Sequence, residues 1–348
     1  MNHLKQIVVP LLEWFELNKR DLPWRRTKDP YHIWVSEIML QQTRVEAVKP
    51  YYERFLKTLP SVKDLAEADE ETILKLWEGL GYYSRIHNMQ KAAVQVMEEY
   101  NGTFPAAYDR LLKLKGIGPY TAGAVGSIAF DLPVPAVDGN VLRVMSRLTA
   151  DPSDISLQAT KKGWETRIKE IMPAKKPGDL NQALMELGAT ICLPNGAPKC
   201  NICPVRKFCE AYRRNSVLLY PVKAEKKSRI IENLNVFFCT DGKNIAVCKR
   251  PKKGLLSGLW ELPNTDREIS IPEGLQKFGI LQAEIIPLKN QKHIFTHIEW
   301  HMDCYLIKVT EKKDSPLLWL TKEDIERDYA LPSAFRKIWQ DGLQKWKD

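Results

Sequence analysis

The chain has 348 residues, with 52 Lys or Arg and 43 Asp or Glu, giving a net charge of +9 and a pI near 9.0. This length allows two domains with separate cores, and an apolar fraction of 44% excludes a disordered chain. With no membrane-length apolar run and no signal-peptide pattern at the start, we expect a cytoplasmic protein, nucleoid-associated if bacterial, without a membrane partner. The basic excess suits a polyanionic partner, although a solvated basic surface would account for it equally well.

The first part of the chain is predicted to be mostly helical. Apolar residues recur at helical spacing in residues 7–17, 34–40, 73–80, 89–97, 123–129 and 180–191. Glycine and proline residues separate these segments, as expected between short helices. We therefore predict a mainly α domain over residues 1–217.

The composition changes after Ser216. Residues 218–232 are interpreted as a linker, because residues 223–229 contain four basic residues and one acid. Beyond it, apolar segments at 235–239 and 245–249 flank Asp241-Gly242, which predicts a β-hairpin. Residues 300–309 predict another strand and residues 331–346 a closing helix. Residues 233–348 are thus expected to form an α+β domain.

Four cysteines lie close together near the middle of the chain. Cys192, Cys200, Cys203 and Cys209 form a C-x7-C-x2-C-x5-C pattern. In a reducing compartment, clustered thiols favour metal ligation over disulfides. The pattern therefore predicts a soft metal or an iron–sulfur cluster, and four thiolates also suit zinc.

A Gly-x-Gly motif, Gly116-Ile117-Gly118, precedes a predicted helix. Two glycines allow a tight turn with exposed N–H groups, and a helix N-terminus adds positive potential, so the motif can bind a phosphate. An ordinary helix–helix turn would have the same pattern, so the motif by itself leaves both interpretations open.

Two carboxylates stand in apolar segments. Asp138 follows an apolar, proline-rich run and precedes Gly139-Asn140, so it is either the N-cap of the next helix or a reactive group. Glu37 is either exposed on one helix face or reactive. If the two met in one pocket, they would supply an acid and an anionic stabiliser for C–N bond cleavage.

Five longer segments, residues 35–44, 79–85, 114–122, 137–141 and 181–189, together resemble the helix–hairpin–helix DNA glycosylases, and within them the MutY-type adenine glycosylases. The resemblance covers nearly the whole chain. It implies a mainly α catalytic region of two helical subdomains with a cleft, a [4Fe–4S] cluster on the four cysteines, and an α+β Nudix-like C-terminal domain.

By this resemblance, the chain would excise adenine paired with 8-oxoguanine, or with guanine, from duplex DNA. Glu37 would protonate the adenine, and Asp138, oriented by Asn140, would stabilise the oxocarbenium-like sugar. Tyr82 and Gln42 would wedge into the base stack beside the opposite 8-oxoguanine. The positions expected to contact DNA or the lesion are Gln42, Thr43, Leu80, Tyr82, Lys115, Gly116, Gly118, Phe295, Thr296 and His297.

Position 120 separates two chemistries. In the related endonuclease III type, the residue two after the second glycine of the hairpin is a lysine that forms a Schiff base and leads to strand cleavage. This chain has Tyr120 there, and tyrosine cannot form a Schiff base. The resemblance therefore implies a monofunctional glycosylase with water as the final acceptor.

The second domain contains residues 254–263, which resemble the opening of a Nudix domain. Residues 266–274 lack the acid-rich REx2EExG pattern that would bind a catalytic metal. We therefore expect a recognition module in which Phe295-Thr296-His297 reads 8-oxoguanine. A strand end with a hydroxyl and surface histidines is the simpler alternative.

Three features depart from the family pattern. Thr296 replaces the usual serine, which keeps the hydroxyl and adds a methyl group. Lys115 replaces the common proline of the hairpin, which costs rigidity and offers a phosphate contact. The first cysteine gap has seven residues where six are usual, so we expect a bulged loop that still holds a cluster.

Two other functions stay open at this point: a glycosylase for another mismatch, such as thymine opposite guanine, and a non-catalytic DNA-lesion-binding protein. The Thr296 loop and the second domain argue against the first. The presence of both Glu37 and Asp138 argues against the second. We expect a monomer acting on duplex DNA, and the sequence does not indicate whether a replication clamp binds it.

Overall fold

The computed structural model describes residues 2–224 and 228–347, without the side chains of Asn2 and His3. By their contacts, the residues divide into two compact units: residues 1–67 with 87–225, and residues 68–86 with 226–348. Residues 225–227, part of the predicted linker, lie outside the described residues. In the part of the chain that is described, none of the helices has the length and hydrophobicity that a membrane span requires.

Residues 2–224 are mainly helical, as predicted. Of the helices, α6 belongs to the second unit. The helices are α1 (Asn2–Lys5), α2 (Val8–Asn18), α3 (Pro30–Met39), α4 (Val45–Thr58), α5 (Val62–Glu67), α6 (Glu70–Trp77), α7 (Ser84–Tyr100), α8 (Tyr108–Leu111), α9 (Pro119–Phe130), α10 (Gly139–Thr149), α11 (Gln158–Lys169), α12 (Pro177–Thr190) and α13 (Glu210–Arg213).

Close helix packing in the first unit positions the segment before α10. A Cβ at Gly123 of α9 would lie 2.0 Å from the carbonyl oxygen of Pro135, and a Cβ at Gly188 of α12 would lie 2.6 Å from Asn140 Cβ. Both helices therefore approach this segment at distances that only glycine permits. The buried side chains around it include Leu11, Phe15, Val141, Met145 and Leu184.

The second unit is built on a mixed β-sheet. Its strands are β1 (Ile230–Thr240), β2 (Ile245–Lys249), β3 (Trp260–Glu261), β4 (Asn264–Asp266), β5 (Ile280–Pro287), β6 (Gln291–Ile294), β7 (Ile298–Lys312) and β8 (Leu318–Leu320). The main path has the order β3-β2-β1-β7-β5, and β1 runs parallel to β7. β1 and β2 pair antiparallel around Asp241-Gly242, which confirms the predicted hairpin.

Two boundaries differ from expectation. β1 begins at Ile230, inside the segment interpreted as a linker, because its first residues already pair with β7. The closing helix begins at Arg336 because a 3-10 turn over Ser333–Phe335 precedes it. The helices of this part of the chain are α14 (Ile271–Lys277), α15 (Lys322–Asp328) and α16 (Arg336–Lys347).

Polar contacts attach α6 to the sheet of the second unit. The carboxylate of Glu71 accepts hydrogen bonds from Trp260 Nε1 at 2.9 Å and Lys249 Nζ at 2.7 Å. Two turns further, at the C-cap of α6, Glu78 Oε1 accepts the N–H of Leu331 at 2.9 Å. The loop that follows α6 and carries Tyr82 therefore belongs to the second unit. In sequence, however, this loop lies within the helical region of the chain.

Candidate functional site

A pocket in the first unit brings the two predicted carboxylates together. Glu37 of α3, Tyr120 of α9, and Asp138 with Asn140 at the start of α10 line it. The surrounding side chains include Arg20, Trp24, Arg25, Met185 and Glu186. The structure thus assembles in one cavity the four residues for which the sequence predicted a catalytic role.

The start of α3 determines where Glu37 lies. Asp29 caps this helix, and its carboxylate accepts the N–H of Tyr31 at 2.8 Å and that of His32 at 3.2 Å. Two turns later, Glu37 is 6% exposed. The alternative of a solvent-exposed helix face is therefore wrong for this residue.

The surroundings of Glu37 shift the pKa of its carboxyl group. Burial raises its pKa to about 7, with a smaller contribution from the negative charge of Asp138. A hydrogen bond from the Tyr120 hydroxyl to Glu37 Oε2, 2.5 Å long, opposes this shift because it stabilises the carboxylate. At neutral pH the residue is therefore available as a proton donor.

Asp138 serves as a helix cap and also lines the pocket. Its carboxylate accepts the N–H of Val141 at 2.8 Å and the side-chain amide of Asn140 at 2.7 Å. Burial raises the pKa of Asp138, and these two hydrogen bonds oppose that rise. The helix cap, one of the two alternatives that the sequence left open, is thus confirmed, and the capping carboxylate also lines the pocket.

Arg143 holds Asn140 in place and was missed by the sequence analysis. Its Nη2 donates to Asn140 Oδ1 and to the carbonyl of Gly188, both at 2.8 Å. Its Nε donates to the carbonyl of Cys192 at 2.8 Å. The amide oxygen of Asn140 therefore faces a cation, which turns its NH2 group toward Asp138.

A buried ion-pair cluster forms another wall of the pocket and was also missed. Arg20 Nε and Nη2 donate to the two oxygens of Glu186 at 2.6 and 2.8 Å, and Arg25 Nη2 donates at 2.7 Å. Burial opposes the ionisation of Glu186, but the hydrogen bonds from both arginines outweigh it and lower its pKa to about 2. The available signal was an acidic residue between two apolar residues of α12, Met185 and Leu187.

The four clustered cysteines line a single cavity of the first unit. Arg147 Nη1 lies 3.3 Å from Cys192 Sγ. The cavity lining is otherwise largely apolar, with Val144, Leu148, Leu187, Ile191 and Val205. Among the described residues, no group of three or more His, Cys, Asp or Glu side chains has the geometry to hold a single metal ion.

The Gly-x-Gly hairpin depends on its first glycine. Gly116 has φ +76°, and a Cβ there would lie 2.7 Å from Asn88 Cβ. Gly118 has φ −94°, caps α9, and has open space around its Cβ position. The tight turn therefore requires glycine at position 116, whereas position 118 has no such conformational requirement.

Two further predicted positions lie along a groove that adjoins the pocket. Gln42 and Thr43 line this groove together with Asp138 and Asn140. Gln42 is exposed and has φ +60°, a conformation that side-chain-bearing residues rarely adopt. Such strain often accompanies a functional role.

In the second unit, Tyr82 and Thr296 lie together. Their hydroxyl oxygens are 3.0 Å apart, and Tyr82 is 45% exposed with φ +49°. Leu80 is buried, and its carbonyl accepts a hydrogen bond from Arg85 at 3.1 Å. The structure thus exposes Tyr82 but packs the side chain of Leu80 inside.

The loop between β6 and β7 carries the remaining predicted residues. The Phe295 ring packs edge-on against Trp300, with centroids 4.9 Å apart. Thr296 and His297 are exposed at the tip of this loop. Phe295 therefore anchors the loop, and the two polar residues face solvent.

Comparison with known proteins gives two domain matches. Residues 35–173 match the HhH-GPD superfamily base excision DNA repair proteins, and residues 235–341 match the NUDIX domain. The adenine DNA glycosylase of Buchnera aphidicola subsp. Schizaphis graminum is 32% identical over 94% of this chain and 96% of its own length. That of Arabidopsis thaliana is 34% identical over 97% of this chain, which spans 64% of the Arabidopsis protein.

A solved structure supports the fold of the helical region. A thermostable thymine-DNA glycosylase, 31% identical, superposes with a TM-score of 0.56 over 61% of this chain and 98% of that chain. The predicted fold class, a helical glycosylase with a Nudix-like C-terminal domain, is confirmed. The chain belongs to the adenine DNA glycosylase family of the HhH-GPD superfamily, and it is a DNA glycosylase.

Proposed function

We propose that this glycosylase excises adenine paired with 8-oxoguanine, and with guanine, from duplex DNA. The observation that carries the proposal is the meeting of the buried Glu37 and the half-buried Asp138 in one pocket. The relatives, which are named adenine DNA glycosylases, support adenine as the base. To reach this pocket, the base must first leave the duplex stack, which costs a few kcal/mol.

Glu37 is proposed as the general acid. Adenine leaves more readily when it is protonated, and a carboxyl group with a pKa of about 7 still carries its proton near neutral pH. Once the proton has moved to the base, Glu37 is an anion. The Tyr120 hydroxyl, 2.5 Å away, then stabilises that anion.

Asp138 is proposed to stabilise the cationic sugar that forms as the C–N bond breaks. It must be ionised for this, and the hydrogen bonds from Val141 N–H and Asn140 favour the ionised form. The N-terminus of α10 adds positive potential at the same place. A water molecule then adds to the sugar and gives a proton to the Glu37 carboxylate, which completes the hydrolysis and restores the acid.

The ion-pair cluster is proposed to select the base. Glu186 offers carboxylate acceptors, and Arg20 and Arg25 offer N–H donors, at fixed positions in the pocket lining. A purine presents an amino donor and ring-nitrogen acceptors that can match such a wall. Because each charge is already paired, the wall is rigid before the base arrives.

Strand cleavage is not expected to accompany base removal. Tyr120 lies in the pocket where a lysine would be needed to form an imine with the sugar. The hydroxyl of Tyr120 is bonded to Glu37, and its pKa is raised well above the usual value by burial and by the nearby carboxylates. It is therefore a hydrogen-bond donor and not a nucleophile at neutral pH.

The second unit is proposed to read 8-oxoguanine. Tyr82 and Thr296, joined by their hydroxyl groups, present an exposed aromatic ring and a polar group side by side. An aromatic wedge supports an unstacked base, and a polar group can distinguish 8-oxoguanine from guanine by a hydrogen bond.

We further propose that Cys192, Cys200, Cys203 and Cys209 hold a [4Fe–4S] cluster. All four cysteines line one cavity, and the Arg147 guanidinium beside Cys192 would offset the negative charge of a thiolate-bound cluster. A bound cluster would link Cys192, which lies just after α12, to the loop that contains Cys200, Cys203 and Cys209. Purified protein should be brown and contain about four iron atoms per chain. Colourless, zinc-loaded protein with normal activity would overturn this assignment.

Single-turnover excision tests the function. Duplexes with adenine opposite 8-oxoguanine, adenine opposite guanine, or thymine opposite guanine are incubated with the protein and then treated with hot alkali. The first two should give cleaved product and the third none, and omission of alkali should leave the strands intact. Glu37→Gln, which keeps the shape of the side chain, should bind the first duplex but lose about 10²–10⁴-fold in excision rate. Excision of thymine alone would refute the proposal.

A further inference from the structure

A side chain of α7 contacts the backbone of the hairpin. Gln95 Oε1 accepts a hydrogen bond from the N–H of Lys115 at 2.7 Å. Gln95 is half-buried, and its own amide lies 3.4 Å from Glu99 Oε1, which sets the orientation of the group. This contact joins two segments twenty residues apart in sequence.

This hydrogen bond satisfies a backbone N–H that is present because residue 115 is lysine and not proline. A proline at this position would have a fixed φ and no N–H to satisfy. Lysine has neither property, so the turn before Gly116 is more flexible and carries an extra donor. A hydrogen bond from outside the hairpin removes part of that freedom and satisfies the donor.

We propose that Gln95 is a positioning residue that holds the hairpin in its DNA-binding conformation through the N–H of Lys115. Gly116, the next residue, has the left-handed φ of +76° on which the turn depends. Asn88, from the same helix as Gln95, packs against Gly116. α7 therefore supports the hairpin at two successive residues, and Gln95 supplies the polar contact.

This inference rests on the proposed role of the hairpin in phosphate binding, since its consequence is measured as DNA affinity. Gln95→Met keeps the length of the side chain and removes the acceptor. It should lower the affinity for an undamaged duplex about two- to tenfold, the value of one neutral hydrogen bond. The excision rate at saturating enzyme should stay at the parent value, because Gln95 does not line the pocket.

Combining Gln95→Met with each of two substitutions at position 115 separates the effect of the N–H group from that of the lysine charge. In Lys115→Ala, the charge is gone and the N–H stays, so Gln95→Met should cost the same factor as in the parent. In Lys115→Pro, the N–H is absent, so Gln95→Met should cost nothing. An equal loss in all three backgrounds would show that Gln95 acts through another contact and would overturn the proposal.

Hydrogen exchange of the full chain gives a readout that is independent of DNA. Gln95→Met should speed amide exchange in the peptide that covers residues 112–118 and leave α12 unchanged. Unchanged exchange in that peptide would refute the contact as a restraint. Faster exchange with unchanged affinity would instead refute the hairpin as a phosphate contact, and the positioning role with it.

Discussion

The hydroxyl of Tyr120 donates a 2.5 Å hydrogen bond to Glu37 Oε2 inside the pocket. The two side chains come from α9 and α3, which pack against each other in the first unit. This bond stabilises the ionised form of Glu37, whereas burial stabilises the protonated form and prevails. These two opposing effects leave the pKa of Glu37 at about 7.

The pH dependence of excision should report this balance. Excision needs protonated Glu37, so the single-turnover rate should fall as pH rises through about 7. Tyr120→Phe removes the bond that favours the carboxylate, so the pKa of Glu37 rises and the alkaline limb should move to higher pH. Tyr305→Phe, in β7 of the second unit, is the matched control and should leave the profile unchanged. An alkaline limb that does not move in Tyr120→Phe would contradict the assignment.

Asp138→Asn should separate chemistry from folding. Asparagine caps a helix about as well as aspartate, so α10 should keep its start and the thermal unfolding midpoint should change little. The charge beneath the sugar is lost, and the excision rate should fall by about 10²–10³-fold or more. Binding to a lesion duplex, measured in parallel, should persist. Parent-level excision by Asp138→Asn would rule out the proposed mechanism.

The hairpin glycines should differ in their tolerance of a side chain. Gly116→Val places a branched residue at φ +76° and against Asn88, so affinity should fall alike for lesion and undamaged duplexes. Gly118→Ala meets no protein atom within 4 Å. Its unfolding midpoint should therefore match the parent. Titration of Gly116→Val with both duplexes checks the first expectation, and thermal unfolding of Gly118→Ala checks the second. A lesion-specific loss in Gly116→Val, or a lowered midpoint in Gly118→Ala, would contradict them.

Thr296 should matter through its hydroxyl. Thr296→Val keeps the shape but breaks the 3.0 Å contact with the Tyr82 hydroxyl. The preference for 8-oxoguanine over guanine opposite adenine should then decrease, by about two- to tenfold for one hydrogen bond. Thr296→Ser retains the hydroxyl and serves as the control. The ratio of excision rates on the two duplexes is the measurement, and an unchanged ratio in Thr296→Val would assign the reading to other residues.

Glu186 should contribute stability with a definite pH window. Its pKa is about 2 in the folded protein, below the ordinary 4.5, so its contribution is present above pH 4.5 and is lost as pH falls toward 2. Glu186→Gln should therefore destabilise the first unit at pH 7 by about 3 kcal/mol, and by less as the solution is acidified. Denaturant unfolding at several pH values gives the comparison. Glu273→Gln, from an exposed 3.6 Å ion pair, should have almost no effect.

Features that depend on local order could be predicted from the amino-acid sequence alone. Helical periodicity, the Asp241-Gly242 turn and the cysteine spacing are properties of neighbouring residues, and each predicted its element or loop directly. The motifs around Glu37 and Asp138 likewise identified two carboxylates worth examining. Short-range rules suffice there, because the physical cause lies within a few residues.

Features that depend on distant residues meeting in space could be seen only in the folded chain. The sequence did not predict that Arg143 binds Asn140. The orientation of the Arg143 guanidinium depends on the carbonyls of Gly188 and Cys192, which are distant in sequence. The low pKa of Glu186 arises from arginines more than 160 residues away in sequence. Burial, which raises the pKa of Glu37, is likewise a property of packed helices and not of one segment. The sequence thus named the candidate reacting groups, whereas packing set their charge and orientation, since electrostatic effects follow distance in space and not separation along the chain.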